Sequence, residues 1–289
     1  MKNLLLTLLS IASSFFVTTV VLNTYFSPDI VAIDGRLRPQ KKESNFTPET
    51  ASNFSEILSD YKKWEIYNTD NIILSTDFIP VNTDGEEIEK KEFLVQLKTG
   101  RYIPIKRFEA EYMYQLLELP DDTDKKISKS VKSSARVSYS YYMKEGKILP
   151  EFNFTDLNGT SYTSDNTKGK ILVIKCWFIH CKVCVQEFPK LNKLYDRYEG
   201  NEDVIFLSLA FDNSDKLKKF LARKEFRYPV VPNQKKYMSD DIEVAQYPTH
   251  LIINEYGSIE KMVSNVDALI LSLDDIMDSS LSDIDVQAN

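Results

Sequence analysis

All three cysteines of this 289-residue chain, and one of its two histidines, fall within "ILVIKCWFIHCKVCVQEFPKLNKLYDRY", residues 171–198. Cys181 and Cys184 are separated by two residues, a spacing that lets two sulfurs close a disulfide across the first turn of a helix. The run before them is apolar, and the run after them is charged and carries Pro189, so the pair sits where a buried strand gives way to a helix. Thiolate, not thiol, is the reactive form, and the unpaired N–H groups of a helix start favour the anion. A C-x-x-C pair by itself also suits half of a zinc site. At a strand-to-helix junction the redox reading is more specific. A purely structural staple closing so small a loop would constrain little of the unfolded chain. Cys176 alternates onto a buried strand face and reads as a core residue.

The elements around the pair are those of a layered α/β unit. "ILVIKCWFI" is apolar on both alternating faces except at Lys175, as expected of a central strand covered on both sides. "CKVCVQEFPKLNKLYDRYEG" reads as one helix with Pro189 inside it and Gly200 after it. "DVIFLSLAF" is a second buried strand, "SDKLKKFLARKEF" a helix and "YPVV" a short strand. "YPTHLIINEYGSIEKMVS" is a strand, a turn at Tyr256-Gly257 and a second strand, and "VDALILSLDDIMDSS" a closing amphipathic helix. Before all of these, "LPEFNFTDLNGTSYTSDNTKGK" holds an Asn-Gly hairpin signal. Strand–helix–strand–helix followed by a hairpin and a helix is a compact α/β arrangement.

The first half carries no catalytic constellation. "NIILSTDFIPVN" and the runs "RYIPIKRF" and "YMYQLLEL" read as strands, and "EEIEKKEFLVQLKTG" as a short helix stopped by Gly100. "DDTDKKISKSVKSSARVSYSYYMKEG" reads as a surface helix. Residues 1–28 are expected to be a signal peptide or membrane anchor, because Asn3 to Pro28 is uncharged and long enough to cross a bilayer. Residues 29–65 are expected to be a polar linker, 66–147 a separate region, and 148–289 the domain holding the cysteines. A net charge of −7 argues against nucleic acid as a main partner.

Residues 150–279 resemble the TlpA/ResA-like thiol–disulfide oxidoreductases, a membrane-tethered group of the redoxin superfamily. The resemblance rests on Trp177 four residues before Cys181, on the Cys181/Cys184 pair, and on Glu187 three residues after it. "FPKLNKL" and "YPT" at 247–249 add to it, as does the strand pair at 149–170. It implies a thioredoxin-like α/β fold, a central mixed sheet flanked by helices. To this the rest of the chain adds an N-terminal α+β extension and a hydrophobic export or anchor segment. It also implies that Pro248 lies in a cis-proline loop across from the cysteines, where an extended substrate pairs against an edge without a competing N–H. Cys181, the more exposed cysteine, would attack a substrate disulfide, and Cys184 would resolve the mixed disulfide. Thr249 and Trp177 would support the site. The partners implied are extracytoplasmic protein thiols and disulfides and an upstream reductant, with membrane contact through the N-terminal segment if it is retained. No cofactor or metal is called for.

Three departures from the family pattern bear on the chemistry. The spacer is Lys182-Val183 where the family often has proline second, and Lys182 should favour thiolate. His180 precedes Cys181 where an aromatic residue is common, and either aids the Cys181 thiolate or proton transfer or merely fills the loop. Lys175 either pairs with Glu187 beneath the disulfide or snorkels to the domain edge on its methylene stem. Two other functions compete. A peroxidase of the peroxiredoxin type is disfavoured because no P-x-x-x-[TS]-x-x-C pattern precedes Cys181. A metal site would gather His180, Cys181, Cys184 and His250, and a non-catalytic metal- or partner-binding module would do its recognition through the N-terminal half.

Overall fold

The structure is a computed structural model that describes residues 32–33, 36–37, 54–107 and 112–287, with side chains described over 54–107 and 112–279. The chain divides into two compact units, Met1–Thr47 and Pro48–Asn289. In the first, β1 (Ala32–Ile33) and β2 (Arg36–Leu37) form an antiparallel pair. The apolar segment 1–28 lies outside the described residues. Among those described, no helix is long and apolar enough to cross a membrane.

The second unit opens with α1 (Tyr61–Asn71), started by Asp60, whose carboxylate accepts from the Lys62 and Lys63 N–H groups. Only the end of the expected linker over 29–65 falls among residues 54–65, and there the chain is folded, since residues 54–58 are also helical and Trp64 is fully buried. The helix carries little amphipathic pattern beyond Trp64, so its polar composition hides it. The expected strand over 71–82 reduces to β3 (Ile79–Val81), because α1 runs through Asn71 and residues 74–76 form a turn. Next, α2 (Lys90–Thr99) ends at Gly100, whose φ of 75° is the left-handed cap glycine tolerates. β4 (Tyr102–Lys106) and β5 (Met113–Glu118) pair antiparallel, and β3 pairs parallel with β5, giving the sheet order β3-β5-β4.

The long helix α3 (Lys125–Tyr142) is not the surface helix that its lysines and serines suggest. Ile127, Val131, Ala135, Ser138 and Tyr141 form a buried stripe at three- and four-residue spacing. Its first turns close a core with α1, α2 and the three-stranded sheet. Its last buried residue, Tyr141, enters a different core, described below.

The rest of the unit is built on a five-stranded sheet. After the hairpin β6 (Asn153–Thr155) and β7 (Ser161–Thr163), the strands are β8 (Ile171–Trp177), β9 (Val204–Ala210), β10 (Val230–Val231), β11 (Thr249–Ile253) and β12 (Ile259–Val263). Their order is β10-β9-β8-β11-β12, parallel between β10, β9 and β8 and antiparallel from β8 to β11 and from β11 to β12. Strand alternation splits the side chains between two cores. Leu172, Ile174 and Cys176 join Leu207, Leu209 and Leu251 on one face, while Val173 and Trp177 join Cys184, Phe188 and Ile252 on the other.

The expected single helix after the cysteines is two, α4 (Lys182–Gln186) and α5 (Phe188–Arg197), broken at Glu187. Pro189 is the reason, since it has no N–H to continue the ladder but fits the first turn of a new helix. Then come α6 (Ser214–Leu221), a π-helical turn at Tyr237–Asp241, and the closing α7 (Val266–Gln287).

Candidate active site

The central strand β8 delivers the chain to a turn at its C-terminal end, and Cys181 caps α4. Its Sγ accepts a hydrogen bond from the Cys184 N–H at 3.2 Å, and the two sulfurs are joined in a disulfide. Cys181 keeps 8% of its surface exposed and Cys184 none. The turn is anchored by the Ile179 N–H, which donates to Asp212 Oδ2 at 2.8 Å. Around the disulfide, His180 and Lys182 are exposed and Val183 presents an apolar side chain to solvent.

Beneath the disulfide lies a buried polar row. Register aligns Ser208 on β9, Lys175 on β8 and His250 on β11, all on the face that carries Cys184 and Phe188. Glu187, at the break between α4 and α5, drops onto this row. Lys175 Nζ donates to its Oε2 at 2.6 Å, His250 Nε2 lies 3.1 Å from the same oxygen, and the Val266 N–H donates to Oε1 at 2.9 Å. Since the carboxylate only accepts, His250 is the Nε2–H tautomer. Its Nδ1 is then an acceptor without a partner.

Burial opposes ionisation of Glu187, but the hydrogen bond and charge of His250, and then those of Lys175, outweigh it and hold the carboxyl at about 2. Burial is also the leading influence on the two bases. It pulls Lys175 below its ordinary value despite Glu187, and it depresses His250, with the nearby Lys175 charge adding to the effect. The snorkelling alternative for Lys175 is therefore set aside, as the side chain is fully buried and paired.

On the other side of the turn the Tyr247–Pro248 peptide is cis. Tyr247 meets Phe178 and Phe211 edge-on at 5.6 and 4.9 Å between centroids, and Phe178 and Phe211 stack at 5.1 Å. These three partly buried rings form an apolar wall between the turn before Cys181 and the Pro248 loop. Trp177 is not part of it. It points into the core, edge-on to Phe188 at 5.1 Å, and supports the turn from below.

The chain is 30% identical over 122 residues to the thioredoxin-like protein YneN of Bacillus subtilis, covering 41% of this chain and 70% of that protein. It is also 30% identical over 125 residues to the thiol–disulfide oxidoreductase ResA of Bacillus thuringiensis subsp. konkukian, covering 41% of this chain and 72% of the relative. The chain belongs to the ResA-like thiol–disulfide oxidoreductases. The broader AhpC/TSA family model matches residues 146–262. Among solved structures, the thioredoxin domain of a Bacteroides vulgatus thiol–disulfide oxidoreductase aligns with a TM-score of 0.41 and 23% identity, over 46% of this chain and 96% of that one. As a ResA-like protein the chain is an oxidoreductase with a thioredoxin-like fold. The relatives' names favour disulfide exchange over the peroxidase and metal-binding alternatives.

The four residues of the metal alternative are not gathered. His180 is exposed on the turn, whereas His250 is fully buried on Glu187. Among the described residues no group of three or more His, Cys, Asp or Glu side chains could share an ion. Sequence reasoning anticipated the Lys175–Glu187 contact but not the place of His250 beside it. The available signal was parity, since a residue two after Pro248 on an antiparallel strand can share the face of Lys175. The register that aligns them is a tertiary fact. The aromatic wall leaves no local signal in the sequence, because Phe178, Phe211 and Tyr247 come from three separate segments.

Cys176 lies in the opposite core, and burial pushes its thiol up to about 12. A Cys176→Ala variant is therefore expected to retain most of the disulfide-exchange rate, measured beside the wild type with one substrate.

Proposed function

We propose that this chain works outside the cytoplasm as a protein-disulfide reductase, with Cys181 attacking and Cys184 resolving. The observation that carries the reading is the asymmetry of the pair, since Cys181 keeps 8% of its surface exposed while Cys184 keeps none. In the reduced protein, the Cys181 thiolate attacks one sulfur of a substrate disulfide and releases the other as thiolate. Cys184, deprotonated, then attacks the Cys181 sulfur, which frees the second substrate sulfur and leaves the enzyme disulfide. Two electrons and two protons pass from the enzyme dithiol to the substrate, and an upstream dithiol restores the enzyme.

Phe178, Phe211, Tyr247 and Val183 would receive apolar side chains flanking the substrate cysteine, and the Pro248 edge would align its backbone. Lys182 and His180 would act at the rim. Glu187, held ionised, would supply fixed negative charge paired to Lys175 rather than a proton. Export through residues 1–28, and their retention as an anchor, belongs to the same proposal. The test is reduction of insulin disulfides by the purified chain with dithiothreitol as reductant. Acceleration well above dithiothreitol alone is expected. A rate equal to the reductant alone would contradict the reading.

A further inference from the structure

Helix α3 belongs to the first half of the chain, yet its end reaches the loop that carries Pro248. Tyr141 is fully buried, and its hydroxyl lies 2.5 Å from Thr249 Oγ1. Thr249 has one hydroxyl proton, which goes to the Gln246 carbonyl at 2.7 Å. The direction of the other bond follows, with Tyr141 donating to Thr249. The relay Tyr141–Thr249–Gln246 thus spans the residues on both sides of Tyr247 and Pro248.

A second contact ties the same helix end to the same segment. Lys144 Nζ pairs with Glu243 Oε2 at 2.6 Å, three residues before Gln246. Beyond it the chain adds to the sheet edge. The Gly146 N–H donates to the Ile259 carbonyl at 2.8 Å and the Ile259 N–H to the Lys147 carbonyl at 2.8 Å. Lys261 on β12 meets Glu145 at 3.3 Å and Asp77, from the first half, at 2.8 Å. The end of α3 is therefore held in place from several sides, which makes it a rigid post for the loop.

We propose that Tyr141 is a positioning residue for substrate binding, fixing through Thr249 the Tyr247–Pro248 edge against which a protein disulfide docks. This rests on the reductase reading above, and it gives α3, from the first half of the chain, a part in that reaction. The loop is fixed on the side of the sheet opposite Lys175 and Glu187, so Tyr141 acts on docking rather than on the sulfurs. A small disulfide that bypasses the edge should be indifferent to it.

The experiment compares Tyr141→Phe with the wild-type full chain in two ways. In kinetics, KM for insulin should rise roughly threefold to tenfold, the effect of one lost buried hydrogen bond, with kcat and turnover of oxidised glutathione little changed. In amide hydrogen exchange, Tyr247 and Thr249 should exchange faster, while residues 171–177 keep their protection. Thr249→Val should absorb the effect, so that adding Tyr141→Phe to it changes KM no further. An unaltered KM with unaltered exchange would overturn the proposal. So would equal losses on insulin and glutathione that follow a general fall in melting temperature. If the wild type itself reduced no disulfide, the reductase reading would fail, and exchange at Tyr247 and Thr249 would still decide whether Tyr141 fixes the loop.

Discussion

Glu187→Gln is expected to destabilise the protein by about 3–5 kcal/mol, because it leaves the fully buried Lys175 ammonium without its counter-charge. The glutamine can still accept from the Val266 N–H, so the loss reports the charge rather than the helix contact. Lys175→Met should cost less, since the carboxylate keeps the hydrogen bonds from His250 and Val266. The double variant should be more stable than the sum of the two losses predicts, as expected of groups that compensate each other. Denaturant melts of the four proteins measure this. Additive losses would mean that the pair contributes nothing as a pair.

The same cluster predicts acid sensitivity with a definite sign. Glu187 has a folded pKa of about 2 against an ordinary 4.5, so its contribution is complete above 4.5 and is lost as pH falls from there towards 2. His250 is depressed below its ordinary 6.5, so the unfolded chain takes up that proton first and stability falls as pH drops through 6.5. Both effects run the same way, and each group adds a slope of up to about 1.4 kcal/mol per pH unit in its window. His250→Gln keeps an N–H donor for Glu187 but not the imidazole's charge, so it should remove the first limb and shrink the second without abolishing it, because Lys175 still lowers Glu187. Melting temperatures from pH 7.5 to 3.5 would reveal both limbs.

Cys181→Ser is expected to abolish turnover, because a hydroxyl at the attacking position is neither ionised near neutral pH nor able to form the mixed disulfide. The loss should exceed that from any substitution around the pair, including those in the aromatic wall. Cys176→Ala serves as its control, since that thiol is buried on the other face of the sheet. Loss of activity from the control variant with its fold intact would mean that the cysteines divide their roles differently.

The site was legible where the chemistry is local. Cys181, Cys184 and Glu187 lie within seven consecutive residues, and a strand-to-helix junction reads directly from the apolar run ending at Ile179. The succession of strands and helices along the second half follows from turn signals and alternation, whereas their order in the sheet does not. Pro189 sits in a run whose composition suggests one continuous helix, but its missing N–H starts a new helix with Glu187 at the break. In the first half the stripe on α3 was masked by its lysines and serines. Trp64, the only fully buried residue of α1, gave no periodic pattern to follow. The Tyr141–Thr249 contact joins residues 108 positions apart, which no spacing rule reaches.

The central claim is that Cys181 attacks and Cys184 resolves, and the most direct measurement is the identity of the cysteine held in a trapped complex. Cys184→Ser, reduced and then mixed with an insulin disulfide, should accumulate a covalent complex that dithiothreitol releases. Peptide mass spectrometry should locate the link at Cys181. Cys181→Ser treated in the same way should yield little complex, because the remaining Cys184 sulfur is enclosed. An equal or greater yield from Cys181→Ser, linked through Cys184, would contradict the account and reverse the two roles.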